Sequence, residues 1–577
     1  MTSAPPCWDC CAPTEPTDWC GKTSPKISRR PCATNSPSCA RSRIRLSLRP
    51  KTKQGYKIPP PNSRTPNHLI IEGDNLVSLS ALAYTHAGKI DVIYIDPPYN
   101  TGNKDFVYND SFVDKEDAYR HSKWLSFMDR RLRIAKKLLS DRGVIFISID
   151  DNEQANLKLL CDEVFGENNL LGELIHQRAK GGGQAKFIVK GHDYILVYAK
   201  DAQNASISRP KVIQQKTFIR NGIECLRNDD VLRKSFGKYD KTLGDRRCFY
   251  EDIVKYKGEK KKEEIDNLIR DGKYMLELNA EGKHTIVEYI PISSARSKLY
   301  SIIKVLSEEG KKELEDLGLT NFDYPKPLEL IRLITGAIYK TNSTILDFFA
   351  GSGTTLHAVM QLNAEDGGHR QCILCTNNEN GICENVTYER NKRVIQGYTK
   401  PNGEKVEGLH DNNLRYYRTE FISRSRTPRN MQRLVELSTD MLCIKEDLYA
   451  EQTEMGGMRV VPRVFRYFAE GERKMLIIYR EEYIEEIVKL IAKVETTAPI
   501  RVYVFSPCED PSSELFEPVA EKVEPVALPA AIYNTYKRIL PKRRDRRVDT
   551  ATDNADGDPD TEPDNELGGL FETQDQA

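Results

Sequence analysis

The feature that most constrains this chain is an alternation of short apolar runs with helical stretches between residues 67 and 420. KIDVIYID (89–96), GVIFISID (143–150) and HDYILVYAK (192–200) are continuous apolar segments of strand length, whereas WLSFMDRRLRIAKKLL (124–139) has helical spacing. Strands that are apolar on both faces are typical of a parallel sheet covered by helices on each side. The pattern therefore predicts a doubly wound α/β fold.

An insertion interrupts this alternation from about residue 201 to 315. The pattern returns at STILDFFAGSGTT (343–355), QCILCTNNE (371–379) and NVTYERNKRVIQGY (385–398). We therefore divide the α/β domain into residues 67–200 and 316–420, with the insertion at 201–315 between them. The insertion holds more lysine and arginine than acidic residues, which makes it the candidate for contacting a polyanion. A further strand and helix pattern predicts a small C-terminal α/β module at 430–545.

The two ends of the chain lack this patterning. Residues 1–66 hold six cysteines among Pro, Ser and Thr without apolar periodicity, so we expect a disordered arm rather than a zinc site at Cys7-x-x-Cys10. Residues 546–577 carry ten acidic residues and few apolar ones, so we expect a disordered tail. No apolar run approaches the roughly 18 residues of a membrane-spanning helix. The other cysteines are scattered, so we expect a reduced, cytoplasmic protein that makes no membrane contact.

The segment Asp96-Pro97-Pro98-Tyr99 directly follows the first apolar strand. Its two prolines stiffen the backbone and remove two N–H donors, which leaves the Asp96 carboxylate and the Pro97 carbonyl as acceptors beside an aromatic ring. Two acceptors and a stacking face suit a planar heterocycle with an exocyclic amino group, whose nitrogen would attack an electrophile directly. A proline-stiffened turn with a capping aspartate is the alternative that involves structure alone.

A glycine-bearing turn follows another strand, which ends at Asp347. Gly351 and Gly353 allow the backbone to approach a ligand closely. Ligands of open α/β sheets bind outside the carboxyl ends of strands, where this turn is expected to lie. The spacing matches neither a nucleoside-triphosphate loop nor a complete dinucleotide fingerprint. An acid at the end of the next strand would bind ribose hydroxyls, and we choose Glu379 for this role.

Three segments together resemble the motifs of amino-directed DNA methyltransferases that use S-adenosyl-L-methionine: DPPYNTG (96–102), NFDYPKPLELIRLI (321–334) and LDFFAGSGTT (346–355). The catalytic motif precedes the cofactor motif, which is the permuted order of the β group of that family. The stretch TNNENGICENVTYERNKRVI (376–395) is similar to modification subunits of Type III restriction systems and to their orphan relatives. The resemblance implies a Rossmann-like methyltransferase sheet with an inserted target-recognition region.

The resemblance also implies roles for the residues of the catalytic motif. Asp96 and the Pro97 carbonyl would hold the target amino group, and Pro98 would shape the pocket. Tyr99 would stack on a base that is flipped out of the duplex.

The same resemblance implies a set of residues around S-adenosyl-L-methionine. The methionine end of this cofactor would be lined by Asp347, Phe349, Ala350, Gly351, Ser352 and Gly353. Lys326 would pair with the cofactor carboxylate, with a solvated surface lysine as the alternative. Asp74 would border the cofactor adenine, with a helix N-cap as the alternative. No metal ion is expected.

In that family the aspartate form of the catalytic motif is associated with adenine N6. The resemblance therefore implies methylation of adenine in duplex DNA at an unknown recognition sequence. Cytosine N4 is the alternative target, a catalytically silent DNA-binding subunit is an alternative from another class, and an RNA-directed methyltransferase is the third. A homodimer and a restriction subunit with nuclease or translocase activity are the protein partners that the resemblance suggests.

Overall fold

The computed structural model describes residues 65–102, 107–108, 111–112, 114, 116–181, 187–211, 216–235, 245–338, 340–420, 427–505, 513–528 and 532. Most of the cysteine-rich arm and all of the acidic tail lie outside these residues. In chain order the strands are β1 (Asn67–Glu72), β2 (Ile90–Ile95), β3 (Val107–Tyr108), β4 (Ser111–Phe112), β5 (Leu139–Ile149), β6 (Leu170–Gln177), β7 (His192–Ala199), β8 (Arg209–Pro210), β9 (Thr217–Arg220), β10 (Ile223–Asn228), β11 (Met275–Leu278), β12 (His284–Pro291), β13 (Arg296–Ser297), β14 (Ile302–Ile303), β15 (Thr344–Asp347), β16 (Gln371–Thr376), β17 (Tyr398–Thr399), β18 (Lys405–Val406), β19 (Asn413–Arg418), β20 (Glu451–Gln452), β21 (Glu454–Met455), β22 (Met458–Arg459), β23 (Phe465–Glu470), β24 (Arg473–Ile478), β25 (Ile500–Val504) and β26 (Val523–Val526). The α-helices are α1 (Asn75–Thr85), α2 (Arg120–Leu138), α3 (Gln154–Phe165), α4 (Ile253–Lys257), α5 (Glu259–Arg270), α6 (Ser307–Asp316), α7 (Leu328–Thr335), α8 (Thr354–Asp366), α9 (Glu389–Gln396), α10 (Pro428–Glu446) and α11 (Ile484–Ala492).

Nine strands form the main sheet, in the order β14-β6-β7-β5-β2-β15-β16-β1-β19. Strand β7 runs antiparallel to its neighbours β5 and β6, and all other neighbours in the sheet pair in parallel. The sheet therefore confirms the predicted α/β class, with one antiparallel strand within it.

Helices cover both faces of this sheet, which explains why its central strands are mostly apolar on both faces. In β2, Ile93 and Ile95 point into a core that includes residues of α1, α2 and α3. Val92 and Tyr94 point into the opposite core, which includes residues of α6, α7, α8 and α9. Because successive side chains of a strand alternate between faces, a strand buried on both sides needs apolar residues at every position.

Helix α2 shows how the sequence selects its buried face. Trp124, Met128, Leu132 and Ala135 are fully buried and recur at intervals of three or four residues. Such spacing places them in one stripe along the helix. The helix covers most of the stretch predicted over 124–139 but begins earlier, at Arg120.

The insertion forms a compact unit with its own core. Strands β8 and β13 pair with Pro210 opposite Arg296, and this two-stranded pair is called the neck below. Beyond the neck lie a four-stranded sheet, β11-β12-β10-β9, and helices α4 and α5. Its core includes Cys248, Ile253 and Ile265. Strand β14 and helix α6 already belong to the main domain, so this unit spans 209–297, within the expected 201–315.

The C-terminal module has a separate five-stranded sheet, β20-β23-β24-β25-β26, packed with α10 and α11. Ile444 of α10 reaches into the core of the main domain. Asn67 of β1 donates a hydrogen bond of 2.9 Å from Nδ2 to Asp447 Oδ1, just beyond α10. The module thus rests on the edge of the main domain without extending its sheet.

Within the ranges described, none of the helices is both long enough and apolar enough to cross a membrane.

Candidate active site at the carboxyl edge of the sheet

The two predicted turns leave neighbouring strands at the same edge of the main sheet. Asp96 follows the end of β2, and the glycine-bearing turn follows the end of β15 at Asp347. The strands pair in parallel, with Ile93 opposite Leu346. Paired strands lie about 4.8 Å apart, so the turns that follow them begin side by side. The fold therefore brings together the two motifs that the sequence separates by some 250 residues.

The Asp96 carboxylate presents a buried acceptor at this edge. Its Oδ1 atom makes no hydrogen bond of good geometry with any residue that the structure describes, although Lys326 Nζ lies 3.1 Å away as an ion-pair partner. Trp124 Nε1 donates a 2.8 Å hydrogen bond to the Pro98 carbonyl, which anchors the proline turn to α2. The geometry thus fits a ligand that supplies an N–H donor to Asp96.

Tyr99 is held beside this carboxylate in its neutral form. Lys326 Nζ donates a 2.7 Å hydrogen bond to the Tyr99 hydroxyl and lies 5.0 Å from the centre of the ring. Burial, with the negative charges of Asp96 and Asp193, raises the pKa of Tyr99 well above its usual value. The structure therefore places the Lys326 ammonium at the catalytic motif, and its pairing with a cofactor carboxylate stays a prediction.

Asp193 is a second buried acid at this edge, and the sequence reasoning missed it. Arg178 Nη1 lies 3.2 Å from its Oδ1, whereas Lys326 Nζ lies 3.8 Å from its Oδ2. The Tyr99 hydroxyl lies 3.5 Å from the same Oδ2. Burial raises the pKa of Asp193. The residue reaches the site because β7 is antiparallel, which brings the amino end of this strand to the carboxyl edge of its neighbours.

Asp347 is buried beneath the glycine-bearing turn. Its carboxylate accepts hydrogen bonds from the Phe349 N–H at 3.0 Å and from Thr355 Oγ1 at 2.6 Å. Burial, with a smaller contribution from the charge of Asp96, raises the pKa of Asp347 to about 7. The charge of Asp96 contributes because the two motifs follow paired strands of the sheet. Asp347 thus fixes the conformation of the glycine-bearing turn, and both of its carboxylate oxygens already accept hydrogen bonds from the protein.

The backbone of the turn needs glycine at two positions. Gly351 has φ +48° and Gly353 has φ +74°, values in the left-handed region that disfavours residues with a Cβ. A Cβ on Gly351 would lie 3.2 Å from the ring of Phe322. Between them the Ser352 side chain is buried, and Ala350 N–H donates to the Cys375 carbonyl at 3.2 Å.

Residues of α9 and of the π-helical turn before it, Cys383–Tyr388, hold the glycine-bearing turn in place. Thr387 Oγ1 donates to the Gly351 carbonyl at 2.6 Å. Asn391 Nδ2 donates to the Gly353 carbonyl at 3.2 Å. The sequence reasoning assigned these residues no role, although their spacing of four places them on one helical face.

Arg390 completes this support from within the core. Its fully buried guanidinium donates from Nη1 to Thr354 Oγ1 at 2.7 Å and to Ser352 Oγ at 3.3 Å. Burial lowers the pKa of Arg390 to about 10, so it is still a cation at neutral pH. Glu313 Oε2 lies 3.8 Å from Nη2, and burial raises the pKa of Glu313 to about 7. A buried charge therefore ties the start of α8 to α9.

The two remaining predicted residues lie after strands of the same edge. Asp74 follows β1 and caps α1, because its Oδ1 accepts from the N–H groups of Leu76 at 2.9 Å and Val77 at 3.2 Å. The helix-capping alternative is therefore realised, and contact with a cofactor adenine stays a prediction. Glu379 is exposed in the turn after β16, three residues beyond the last strand residue, Thr376. Its carboxylate is open to solvent, and its contact with ribose also stays a prediction.

Residues 90–400 match the family model N6_N4_Mtase, whose description is DNA methylase. The chain is 37% identical over 358 residues to the Type III restriction-modification enzyme StyLTI Mod subunit of Salmonella typhimurium, in an alignment that covers 54% of this chain and 53% of that protein. It is 34% identical over 361 residues to the Type II methyltransferase M.KpnI of Klebsiella pneumoniae, which covers 57% of this chain and 84% of the other. The solved complex of M1.HpyAVI with SAM covers 56% of this chain and 99% of its own, at 12% identity and a TM-score of 0.30. The chain thus spans about half the length of the Type III relative.

Proposed function

Because this chain belongs to the N6_N4_Mtase family of DNA methylases, we propose that it transfers the methyl group of S-adenosyl-L-methionine to a base amino group in duplex DNA. One observation carries this proposal: neighbouring parallel strands bring the buried Asp96 Oδ1 acceptor and the glycine-bearing turn to one edge of the sheet. A transferred carbon must pass between its donor and its acceptor in one step, so both must be held at one place. The names of the Type II and Type III relatives support the same activity.

The proline turn supplies what the target amino group needs. Asp96 Oδ1 would accept one amino hydrogen and the Pro97 carbonyl the other, while the ring of Tyr99 would stack on the flipped base. Accepting both hydrogens draws the nitrogen lone pair out of conjugation with the heterocycle. The nitrogen would then bond directly to the methyl carbon as the bond from that carbon to the cofactor sulfur breaks and its electron pair stays on sulfur. The surplus amino proton would leave through the Asp96 carboxylate that accepts it, and no side chain of the protein needs to carry the methyl group.

The glycine-bearing turn fits the proposed cofactor. The left-handed backbone at Gly351 and Gly353 gives the turn its tight path, and Asp347 fixes the turn through the Phe349 N–H. When bound, S-adenosyl-L-methionine would supply an electrophilic methyl carbon. Asp74 and Glu379, after neighbouring strands, are proposed to bind its adenosine end, which agrees with their place along the same edge.

Adenine N6 is the proposed target, with cytosine N4 as the alternative. Aspartate at position 96 supports adenine, because in the family that the motif resembles this form is associated with N6. Methylation-sensitive long-read sequencing of DNA from cells that express this chain tests the choice. It reports the modified base and the recognition sequence together, and N4-methylcytosine alone would overturn the assignment to adenine.

Substitution of Asp96 tests the mechanism. We expect Asp96→Ala to lower methyl transfer by about a thousandfold or more, because an acceptor of the reacting amino group is lost. Cofactor affinity, measured by equilibrium dialysis, should change little. The control is Asp129→Asn, which removes a surface ion pair of α2 with Arg133 and should leave both quantities unchanged. Normal transfer by the Asp96→Ala variant would refute the mechanism.

We further propose that the protein is the modification component of a restriction-modification system and acts in the cytoplasm. Support comes from the Type III relative, which is itself named a Mod subunit. Co-purification of this chain from its own host with a nuclease or translocase subunit is the expected result. Methylating activity in a preparation that contains this chain alone, recovered without such a partner, would instead favour an orphan enzyme.

A further inference from the structure

The Lys326 ammonium lies at the acceptor that the target amino group is proposed to use. It is 3.1 Å from Asp96 Oδ1 and 2.7 Å from the Tyr99 hydroxyl. A cation attracts a carboxylate more strongly than a neutral amino group does. Entry of the base into this site therefore requires the ammonium to leave Asp96, and the charge needs another partner because Lys326 is mostly buried, with 15% of its side chain exposed.

Asp193 is placed to be that partner. Its side chain is 3% exposed, and its Oδ2 is 3.8 Å from Lys326 Nζ, so a small rotation of the lysine side chain would complete the contact. Arg178 approaches the other oxygen, Oδ1, at 3.2 Å, which leaves Oδ2 turned towards the lysine. The arginine side chain is 42% exposed, so its charge is largely screened by solvent. The Tyr99 hydroxyl, which contacts the Lys326 ammonium, lies 3.5 Å from the same Oδ2. The ammonium therefore has only a short distance to move between the two carboxylates.

We propose that Asp193 is a positioning residue that receives the Lys326 ammonium when the target amino group takes its place at Asp96. The inference rests on the proposed function, since it concerns how the acceptor is vacated. In this exchange Asp193 does not touch the base. It acts through Lys326, by giving the ammonium a second carboxylate within the same buried site.

A pair of substitutions separates this role from a merely structural one. In Asp193→Asn the ammonium loses its alternative and stays at Asp96, so kcat/KM for duplex DNA should fall by about tenfold or more. Adding Lys326→Met removes the competing cation. The double variant should therefore recover at least about threefold of kcat/KM relative to Asp193→Asn alone. Fluorescence of 2-aminopurine at the target position, which reports base flipping, should fall and recover in the same order.

Two further variants serve as controls. Asp193→Glu keeps the negative charge and should retain most of the activity. Asp91→Asn alters another buried acid, which pairs with Lys340 at 3.0 Å near the amino end of β2, and should change kcat/KM by less than about twofold. Thermal unfolding of each variant shows whether it is folded. If Asp193→Asn does not fold, the proposal is tested with the Asp193→Glu and Lys326→Met variants. Loss of activity in Asp193→Glu would then contradict it.

All variants are assayed at saturating S-adenosyl-L-methionine, so that a weaker cofactor affinity caused by Lys326→Met does not enter the comparison. A double variant that is then no more active than Asp193→Asn would overturn the proposal, because removing the lysine would relieve nothing. Failure of the proposed function looks different: the unaltered chain would bind no S-adenosyl-L-methionine and would methylate no DNA. The wild-type assay is therefore run first, and the variants are compared only against measurable wild-type transfer.

Discussion

The carboxyl group of Asp347 makes stability depend on pH. Burial raises its pKa from the ordinary 3.8 to about 7, so the folded protein keeps this proton over a range in which the unfolded chain has released it. Stability from this group is therefore highest at low pH and is lost as the pH rises from about 4 to about 7.

An Asp347→Asn variant mimics the protonated form and should lack this dependence. Between pH 5 and pH 7.5, the free energy of unfolding of the wild type should fall by about 2–3 kcal/mol relative to the variant. Urea denaturation at a series of pH values measures the difference. Parallel curves for the two proteins would contradict the burial of an uncharged carboxyl at this position.

Gly351→Ala should weaken binding of S-adenosyl-L-methionine by about tenfold or more, because the new methyl group meets Phe322 at 3.2 Å and alters the path of the turn. Gly367→Ala is the matched control. Gly367 also has a left-handed backbone, with φ +67°, but nothing lies within 4 Å of its added Cβ. Both variants carry similar backbone strain. Equal cofactor affinities of the two variants in equilibrium dialysis would therefore show that the glycine-bearing turn is not part of the cofactor-binding site.

The sequence predicts a site residue well when a short run of consecutive residues identifies it. Asp96 and Gly351 stand in short segments whose strand, turn and residue type can be read from consecutive letters. Asp193 offered no such signal, because its place depends on the direction of β7, which pairing with β5 decides. Lys326 was singled out, but its contacts with the catalytic motif arise from a loop more than 200 residues away.

At the level of elements, α9 and the turn that precedes it act as a support for the glycine-bearing turn. Arg390→Leu should lower the free energy of unfolding by about 3 kcal/mol, since it removes a buried cation, takes the Arg390 donor away from the Thr354 hydroxyl and leaves the Glu313 carboxylate without its cationic partner. Cofactor affinity should fall as well, because the turn loses its support. Lys392→Ala, on the exposed side of the same helix, should change neither quantity measurably. Equal stability of the two variants would show that Arg390 is dispensable.

Strand existence was predicted better than strand pairing. The continuous apolar runs of β2, β5, β7, β15 and β16 mark buried strands, since helices cover both faces of the sheet. The two-residue strand β14 is too short to leave a pattern, and it joins the sheet only through its pairing with β6. The compact part of the insertion ends at the neck, whereas the predicted boundary at 315 also includes β14 and nearly all of α6.

On the scale of the whole molecule, the insertion is expected to provide DNA affinity. Replacing residues 211–295 by a short Gly-Ser linker keeps the neck and should abolish salt-sensitive binding to duplex DNA while preserving cofactor binding. Fluorescence anisotropy with labelled duplex at several salt concentrations measures the loss. Sequence-specific affinity that survives the deletion would place recognition elsewhere in the chain.

The neck has a consequence for how such a protein can diversify. The chain enters and leaves the insertion at adjacent positions, Arg209–Pro210 and Arg296–Ser297, so the intervening segment has its own core and shares no strand with the catalytic sheet. If the insertion provides target recognition, genetic exchange at these two points would change the recognised DNA sequence and leave the catalytic domain unaltered. Lineages could thus acquire new target sites in a single recombination event, without an inactive ancestor in between.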